Sequence, residues 1–432
     1  MKPLPLLRLL LFFLCGLALL EFSDVSAMPA RRSSQVPTHR APTTTFIVNS
    51  TLDEVDKKPG DGICKSKPSK KCTLRAAIME ANALAGKDKI VLPAGVYPLT
   101  RVGSGEDQSA TGDLDSQSKI ILKGQNAATT IIDGESLDRV LHIVKGTMKI
   151  SQLTLINGST ASGGGGGIYV ANGAKLTLTQ VVVRVNRAKQ GGGILNEGTL
   201  QLNQSTLSEN ESETRAGGLY NQGTATVKNS TISNNTTLGG GGGGIFNEYD
   251  ETLTLVNSTV SGNIASGNGG GILTDWEANT YLFNVTIANN RAGAYVHGGG
   301  ITAIGYTHLW NTILDGNKVS TDTFPYFDFS DCEGNIQSFD YNLVSKDCGF
   351  VHQSFDLVDT SAELSPLANN GGPTQTHALQ PNSPAIDHIA PSLCVDEKNT
   401  VLNTDQRGFS RPVDGDGNGS VRCDIGAFEY HP

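Results

Sequence analysis

The stretch GTLQLNQSTLSEN, residues 198–210, holds two short runs in which apolar and polar residues alternate, separated by a polar break. Alternation with a period of two marks a half-buried strand. Strand, tight turn, strand is therefore the expected reading, with Leu200, Leu202 and Leu207 facing one interior. Two strands this short bury too little to stand alone, so the neighbouring sequence must supply their partners.

It does so by repeating. Two or more glycines precede an isoleucine or leucine at Ile168, Ile194, Leu219, Ile245, Ile272 and Ile301, in steps of 25 to 29 residues. In phase with them, an asparagine closes a short alternating strand at Asn186, Asn210, Asn235, Asn263, Asn290 and Asn317. A period in the twenties without helical patterning predicts a solenoid of strands. Leucine-rich repeats share the period but need several leucines per unit, more than this unit holds. The expected fold is all-β, a parallel β-helix with coils stacked ~4.8 Å apart. The glycines and asparagines are expected to make left-handed turns, and the aligned asparagines to form an amide ladder along the axis. Glycine is 51 of 432 residues, well above the usual ~7%.

The first residues read as a secretory signal, 1–27: Lys2 and Arg8, an apolar run from Leu9 to Leu20, then Val25-Ser26-Ala27. The apolar run is short of the ~20 residues that span a bilayer, and no transmembrane segment is expected after cleavage. A flexible linker is assigned to 28–45. The net charge of −9 argues against a nucleic-acid partner. Without Cys15, six cysteines remain in three local couples: Cys64 with Cys72, Cys332 with Cys348, and Cys394 with Cys423. In an exported chain this suggests disulfides, although six cysteines allow fifteen connectivities. No couple has CxxC spacing, so zinc is not expected.

One convincing amphipathic helix stands ahead of the repeats, in CTLRAAIMEANA (72–83). Leu74, Ala77, Ile78, Ala81 and Leu84 fall on one face, and Thr73 is placed as its N-cap. A solenoid exposes core and strand edges at its ends. The helix is expected to cover the first coil, KIVLPAGVYPL, as an amino-terminal cap.

With the DKIVLPAGVYPLT that follows, this segment resembles the CSLREA domain at the start of exported bacterial β-helix proteins, departing at Thr73 and Ala76. Ala76 cannot close the reciprocal capping box that a glutamate would make, so half of that device is expected. At the far end, NNGGPTQTHALQPNSPAID (369–387) and TDQRGFSRPVDGDGNGSVRCDIGAFEY (404–430) resemble the choice-of-anchor Q region. The central repeats are similar to those of chlamydial polymorphic outer-membrane proteins. The resemblance implies a secreted or surface-displayed right-handed β-helix and no particular reaction. It divides the chain into a cap at 46–88, a β-helix at 89–330 and a closing, disulfide-stapled region at 331–432. With the chain ending two residues after Tyr430, release or non-covalent surface retention is expected.

Two clusters could carry chemistry. DGDGNG sets Asp414, Asp416 and Asn418 at alternate positions, as in the opening of a calcium loop, but Ile425 stands where an EF-hand needs glutamate. These three are the candidate calcium ligands. On the repeat register, Glu197, Gln222, Glu248 and Asp275 align in one column, with Tyr249 and Trp276 after the last two. Carboxylates beside stacked aromatic rings suit a sugar, and adjacent acids fit the ~5 Å separation of a retaining glycosidase. Arg139 and His142 alternate on one strand near Asp133 and read as surface residues; Arg184, Arg187, Arg215 and Arg291 are scattered in turns. The sequons at Asn229 and Asn257 fall in the repeat register and read as turn chemistry. The leading expectation is a non-enzymatic adhesion or glycan-binding module, facing polysaccharide or a cell-surface glycan. A polysaccharide lyase or glycoside hydrolase acting in a groove, and a structural surface spacer, are the alternatives.

Overall fold

The computed structural model describes residues 43–294, 298–320 and 327–432, so the signal and most of the linker lie outside the described residues. The chain winds as a right-handed parallel β-solenoid. Three walls form its sides, with eighteen, eleven and eight strands among the described residues. One coil shows the plan. Leu219–Asn221 and Thr224–Lys228 lie in the long wall, Thr231–Ser233 in the second, and Thr236–Thr237 in the third.

Register follows the apolar columns. Leu202 pairs with Val227, Val227 with Leu255, and Leu255 with Leu282 in the long wall. Leu207, Ile232 and Val260 do the same in the second. All seven are fully buried, with Leu200. A one-residue slip would turn each such column to solvent, which specifies the stacking. Coil pairing continues past residue 330, through Cys332–Ser338 and then Leu343–Val344 against Leu357–Val358.

The asparagine ladder is present. Asn186, Asn210, Asn235, Asn263 and Asn290 each donate Nδ2 to the next asparagine's Oδ1 at 2.9–3.0 Å. Asn317 closes the series on Asp331 at 2.8 Å. A carboxylate, an acceptor only, suits a ladder whose every rung donates forward. The left-handed residue is the one before each rung, such as Val185, Glu209, Asn234 or Asn289, and not the ladder asparagine itself.

The glycines serve two purposes. Gly191 takes the left-handed turn expected of it, at φ +58°. Two residues on, Gly193 is required by proximity: a Cβ there would meet the Gly218 carbonyl oxygen at 2.7 Å and Asn210 Nδ2 at 3.0 Å. The coils approach so closely beside the ladder that only a hydrogen fits.

The helix spans Leu74–Ala83 and packs on strands Lys87–Leu92 and Leu114–Ser116. Thr73 accepts from the Ala76 amide at 3.2 Å, the half of the capping box that the sequence retains. Arg75, unremarked in the sequence, is fully buried. Its guanidinium contacts both carboxylate oxygens of Asp53 and donates to the carbonyls of Ser109, Gly112 and Asp113, pinning the cap to the first coils. The disulfides join Cys64 to Cys72, Cys332 to Cys348, and Cys394 to Cys423.

The segment from about residue 360 onward runs along the flank of the second wall. The Thr231 hydroxyl donates to the Gln375 carbonyl and that of Thr259 to Gln406 Oε1, both at 2.6 Å, while Thr286 Oγ1 accepts from the Ala427 amide at 3.1 Å. Arg411 is the anchor. It reaches Glu429 at 2.7 Å and Asn257 at 3.1 Å, and donates to the carbonyls of Asp424, Gly426 and Phe428. Arg407 pairs with Asp405 at 2.7 Å and lies 3.6 Å from the Phe428 ring centre. The TDQRGFSRP and FEY motifs therefore act as a clamp.

Candidate functional site

The column of Glu197, Gln222, Glu248 and Asp275 lies at the bend of the long wall, each residue following a three-residue strand. Two of its acids are held by tyrosines of preceding coils. Tyr169 donates to Glu197 at 2.8 Å, and Tyr220 donates to Glu248, which Arg215 also reaches at 3.3 Å. Arg139 and Arg215 lie 5.2 Å and 5.9 Å from the Tyr169 and Tyr220 ring centres, so an Arg–Tyr–Glu unit occurs twice. Burial first, then the bonded glutamate, pushes the Tyr169 phenol up to about 12 and Tyr220 higher still. Both remain hydrogen-bond donors at neutral pH. Tyr249 and Trp276 are 54% and 66% exposed, and the Tyr249 hydroxyl turns to Glu277 at 2.8 Å.

Below this column lies a cluster that the sequence did not bring together. Register aligns Asp115 with His142 and His142 with Tyr169 on adjacent coils, and the last two rings stack at 4.7 Å. His142 Nδ1 is 3.4 Å from carboxylate oxygens of both Asp107 and Asp115, and Arg139 Nε is 2.8 Å from Asp113. Burial and the Asp115 charge push Asp113 up to about 8 against the pull of Arg139. Burial also raises Asp115, opposed by its bond to His142. Arg139 and His142 are thus mostly buried in an acidic cluster, and not the surface pair expected. Asp133 instead accepts from Asn157 at 3.0 Å, on the second wall. The acids come from the segment before the first clear repeat, where no register was legible.

The ring stacking that the sequence suggested for Tyr249 and Trp276 occurs one strand further along. Phe283, Trp310 and Phe339 stack at 4.5 Å and 4.1 Å between ring centres, and Tyr281 stacks on His308 at 4.8 Å. Burial holds His308 below the usual imidazole range, so the stack stays neutral. Both stacks end in the same direction, because Thr254 and Val256 occupy the register positions next to Tyr281 and Phe283. The small Thr254 leaves a recess of about 460 Å³, lined by Thr254, Tyr281, Phe283, Trp310, Glu397 and Asn399. Glu397 is steadied by Lys228 at 2.6 Å. Glu397 and Asn399 are distant in sequence, so only the clamp's path across the flank brings them here.

In the predicted calcium loop, Asp414 and Asp416 come together with Asp387. Asn418 turns back instead, donating Nδ2 to Asp416 at 2.7 Å and accepting from the Ser420 amide.

Residues 143–292 match the model of the right-handed beta helix region. No curated protein matches the chain. Among solved structures, the chain is similar to the crystal structure of pectate lyase Pel9A, at 14% identity and a TM-score of 0.48 over 90% of this chain and 97% of that one. This similarity extends to the fold alone. Among the described residues no helix is long and apolar enough to cross a membrane.

Proposed function

We propose that the protein is an extracellular glycan-binding β-helix that seats a sugar ring in the recess at the end of the Tyr281 and Phe283 stacks. The observation that carries this reading is that two aromatic stacks end together, the Tyr281 stack at the small Thr254 and the Phe283 stack at Val256. Ring faces there are left without a ring partner, in a recess flanked by a carboxylate and an amide. An aromatic face packs on the apolar face of a sugar while Glu397 and Asn399 take its hydroxyls. Three disulfides support an oxidising compartment. Adhesion to a cell-surface glycan is the corresponding role.

Retention of the purified protein on a panel of neutral and acidic polysaccharides tests this. Tyr281→Ala with Phe283→Ala should lower affinity at least about tenfold, since ring contacts of this kind are worth ~1 kcal/mol each beyond area burial. Thr254→Trp, which fills the recess, should do the same without removing a ring. Unchanged retention in both would sink the proposal, and loss only on changing Tyr249 and Trp276 would move the site to the Glu197–Asp275 column.

A second reading is favoured by one observation. Exposed Asp107 and buried Asp115 meet on His142 Nδ1 at 3.4 Å, next to the Asp113–Arg139 pair in which burial raises the carboxyl to about 8. The protein would then cleave a polysaccharide at the Asp107–His142 cluster. Oligosaccharides released from the same panel, with and without calcium, and lost in Asp113→Asn, would establish it by mass spectrometry.

A further inference from the structure

We propose that Asp387, Asp414 and Asp416 hold a calcium ion that ties the 414–419 loop to the flank clamp. One oxygen or more from each of the three carboxylates lies within 4.8 Å of the others. The independent observation is Asp387 itself, only 8% exposed, whose Oδ1 is buried without a hydrogen-bond partner. Oδ1 of Asp414 is in the same condition. A buried carboxylate oxygen left unpaired is costly, and a cation shared among the three acids removes that cost.

Neighbouring arginines bond to groups outside the cluster, although Arg422 Nε keeps no partner. Arg411 is bonded to Glu429, and Arg422 donates to the His388 carbonyl at 2.9 Å. Among the described residues no lysine, arginine or histidine forms an ion pair with any of the three acids. The remaining oxygens are already oriented by backbone amides. The Asp416 amide donates to Asp387 Oδ2 at 2.7 Å and the Gly419 amide to Asp414 Oδ2 at 2.9 Å, which fixes those two side chains with their other oxygens free, while both oxygens of Asp416 accept from Asn418 and keep a lone pair each for a cation. An all-oxygen, all-carboxylate set at the root of a glycine-rich loop suits a hard cation that accepts irregular geometry, which is calcium rather than magnesium.

The location gives the ion a structural role. The Asp387 amide donates to Asp424 at 2.8 Å, and Ile389 bridges Cys423, the partner of Cys394. A cation on Asp387 therefore draws the exposed loop onto the disulfide-linked part of the clamp. The sequence pointed to Asp414, Asp416 and Asn418; the geometry replaces Asn418 by Asp387, twenty-seven residues before Asp414.

The test is titration of calcium chloride into the chelator-treated full mature chain by isothermal calorimetry, with thermal unfolding as a second measurement. One calcium should bind per chain and raise Tm by about 2–4 °C at saturation. Asp387→Asn should weaken binding at least about tenfold, and Asn418→Ala should leave it within about threefold. Asp416→Asn, at an exposed position, repeats the test where Asp387→Asn does not fold. The absence of heat at millimolar calcium overturns the proposal, as does magnesium binding with equal affinity. Loss of binding in Asn418→Ala with Asp387→Asn and Asp416→Asn unaffected overturns it as well.

Discussion

One position on the solenoid is occupied in two ways. At the turn into the second wall, the early coils carry Gln152, Gln180 and Gln204, and the later ones Asn229, Asn257, Asn284 and Asn311, all with left-handed backbone. Each of the first two glutamines reaches along the axis to the next, at 3.5 Å and 3.3 Å. The asparagines turn outward: Asn257, Asn284 and Asn311 donate to the carbonyls of Thr404, Val395 and Leu393 at 2.8–3.0 Å. The glutamine half lines an open groove with Asn126 and Pro373, and the asparagine half is covered by the clamp. One methylene accompanies the change. At this turn the glutamines bond to one another along the axis, whereas the asparagines give their donors to a docking segment. The same left-handed turn thus serves either as a solvent-facing ladder or as half of an interface.

Breaking the covered half should have the largest effect. Arg411→Ala strands Glu429 in the interior without its cation and leaves the carbonyls of Asp424, Gly426 and Phe428 without their donor, at a cost of about 3–5 kcal/mol. Limited proteolysis should then cut between residues 360 and 432 while coils 114–290 stay resistant. Uniform protection of the clamp would show that its apolar contacts hold it without the arginine.

Asn257→Gln examines the switch itself. The extra methylene displaces the donor from Thr404 and crowds Arg411, and a loss of about 1–3 kcal/mol is expected in denaturant unfolding. A neutral result would detach side-chain length from docking.

The open half should respond to pH. Asp113 keeps its proton in the folded chain up to about 8, whereas its unfolded counterpart releases it near ~3.9. The folded state therefore binds the extra proton between these values, and stability falls as pH rises through that window. Asp331, raised by burial to about 6 at the end of the ladder, adds the same sign over a narrower range. Hydrogen exchange across Leu114–Ser116, corrected for intrinsic rates, should be faster at pH 8.5 than at pH 5, and Asp113→Asn should flatten the difference. Gln180→Ala should be the mildest change, within about 0.5 kcal/mol, because its amide bonds are long and only partly buried.

The repeat was legible because a solenoid writes its geometry locally. Each coil must turn at the same places and bury the same alternating positions, so Ile168 to Ile301 and Asn186 to Asn317 announce the stacking before any coordinates. The capping helix and its Thr73 cap were legible for the same reason. The second role of the glycines was not, because the close approach of Gly193 to Gly218 is a property of two coils together. Neither was Arg75, whose partners span residues 53 to 113.

The candidate sites divide along this line. Asp414 and Asp416 were visible as a local loop motif, and Asp387 was not, because an antiparallel bridge near the disulfide brings it there. The Glu197–Asp275 column was visible as a register. Its tyrosine partners, the stacked Phe283, Trp310 and Phe339, and the approach of Glu397 and Asn399 follow from how coils and clamp pack. Sequence alone determined the periodic backbone, since hydrophobic alternation and turn chemistry act over a few residues. Tertiary structure decided which wall stays open and which acids meet, because contacts between residues far apart in the chain depend on the register and path that close only when the whole solenoid is wound.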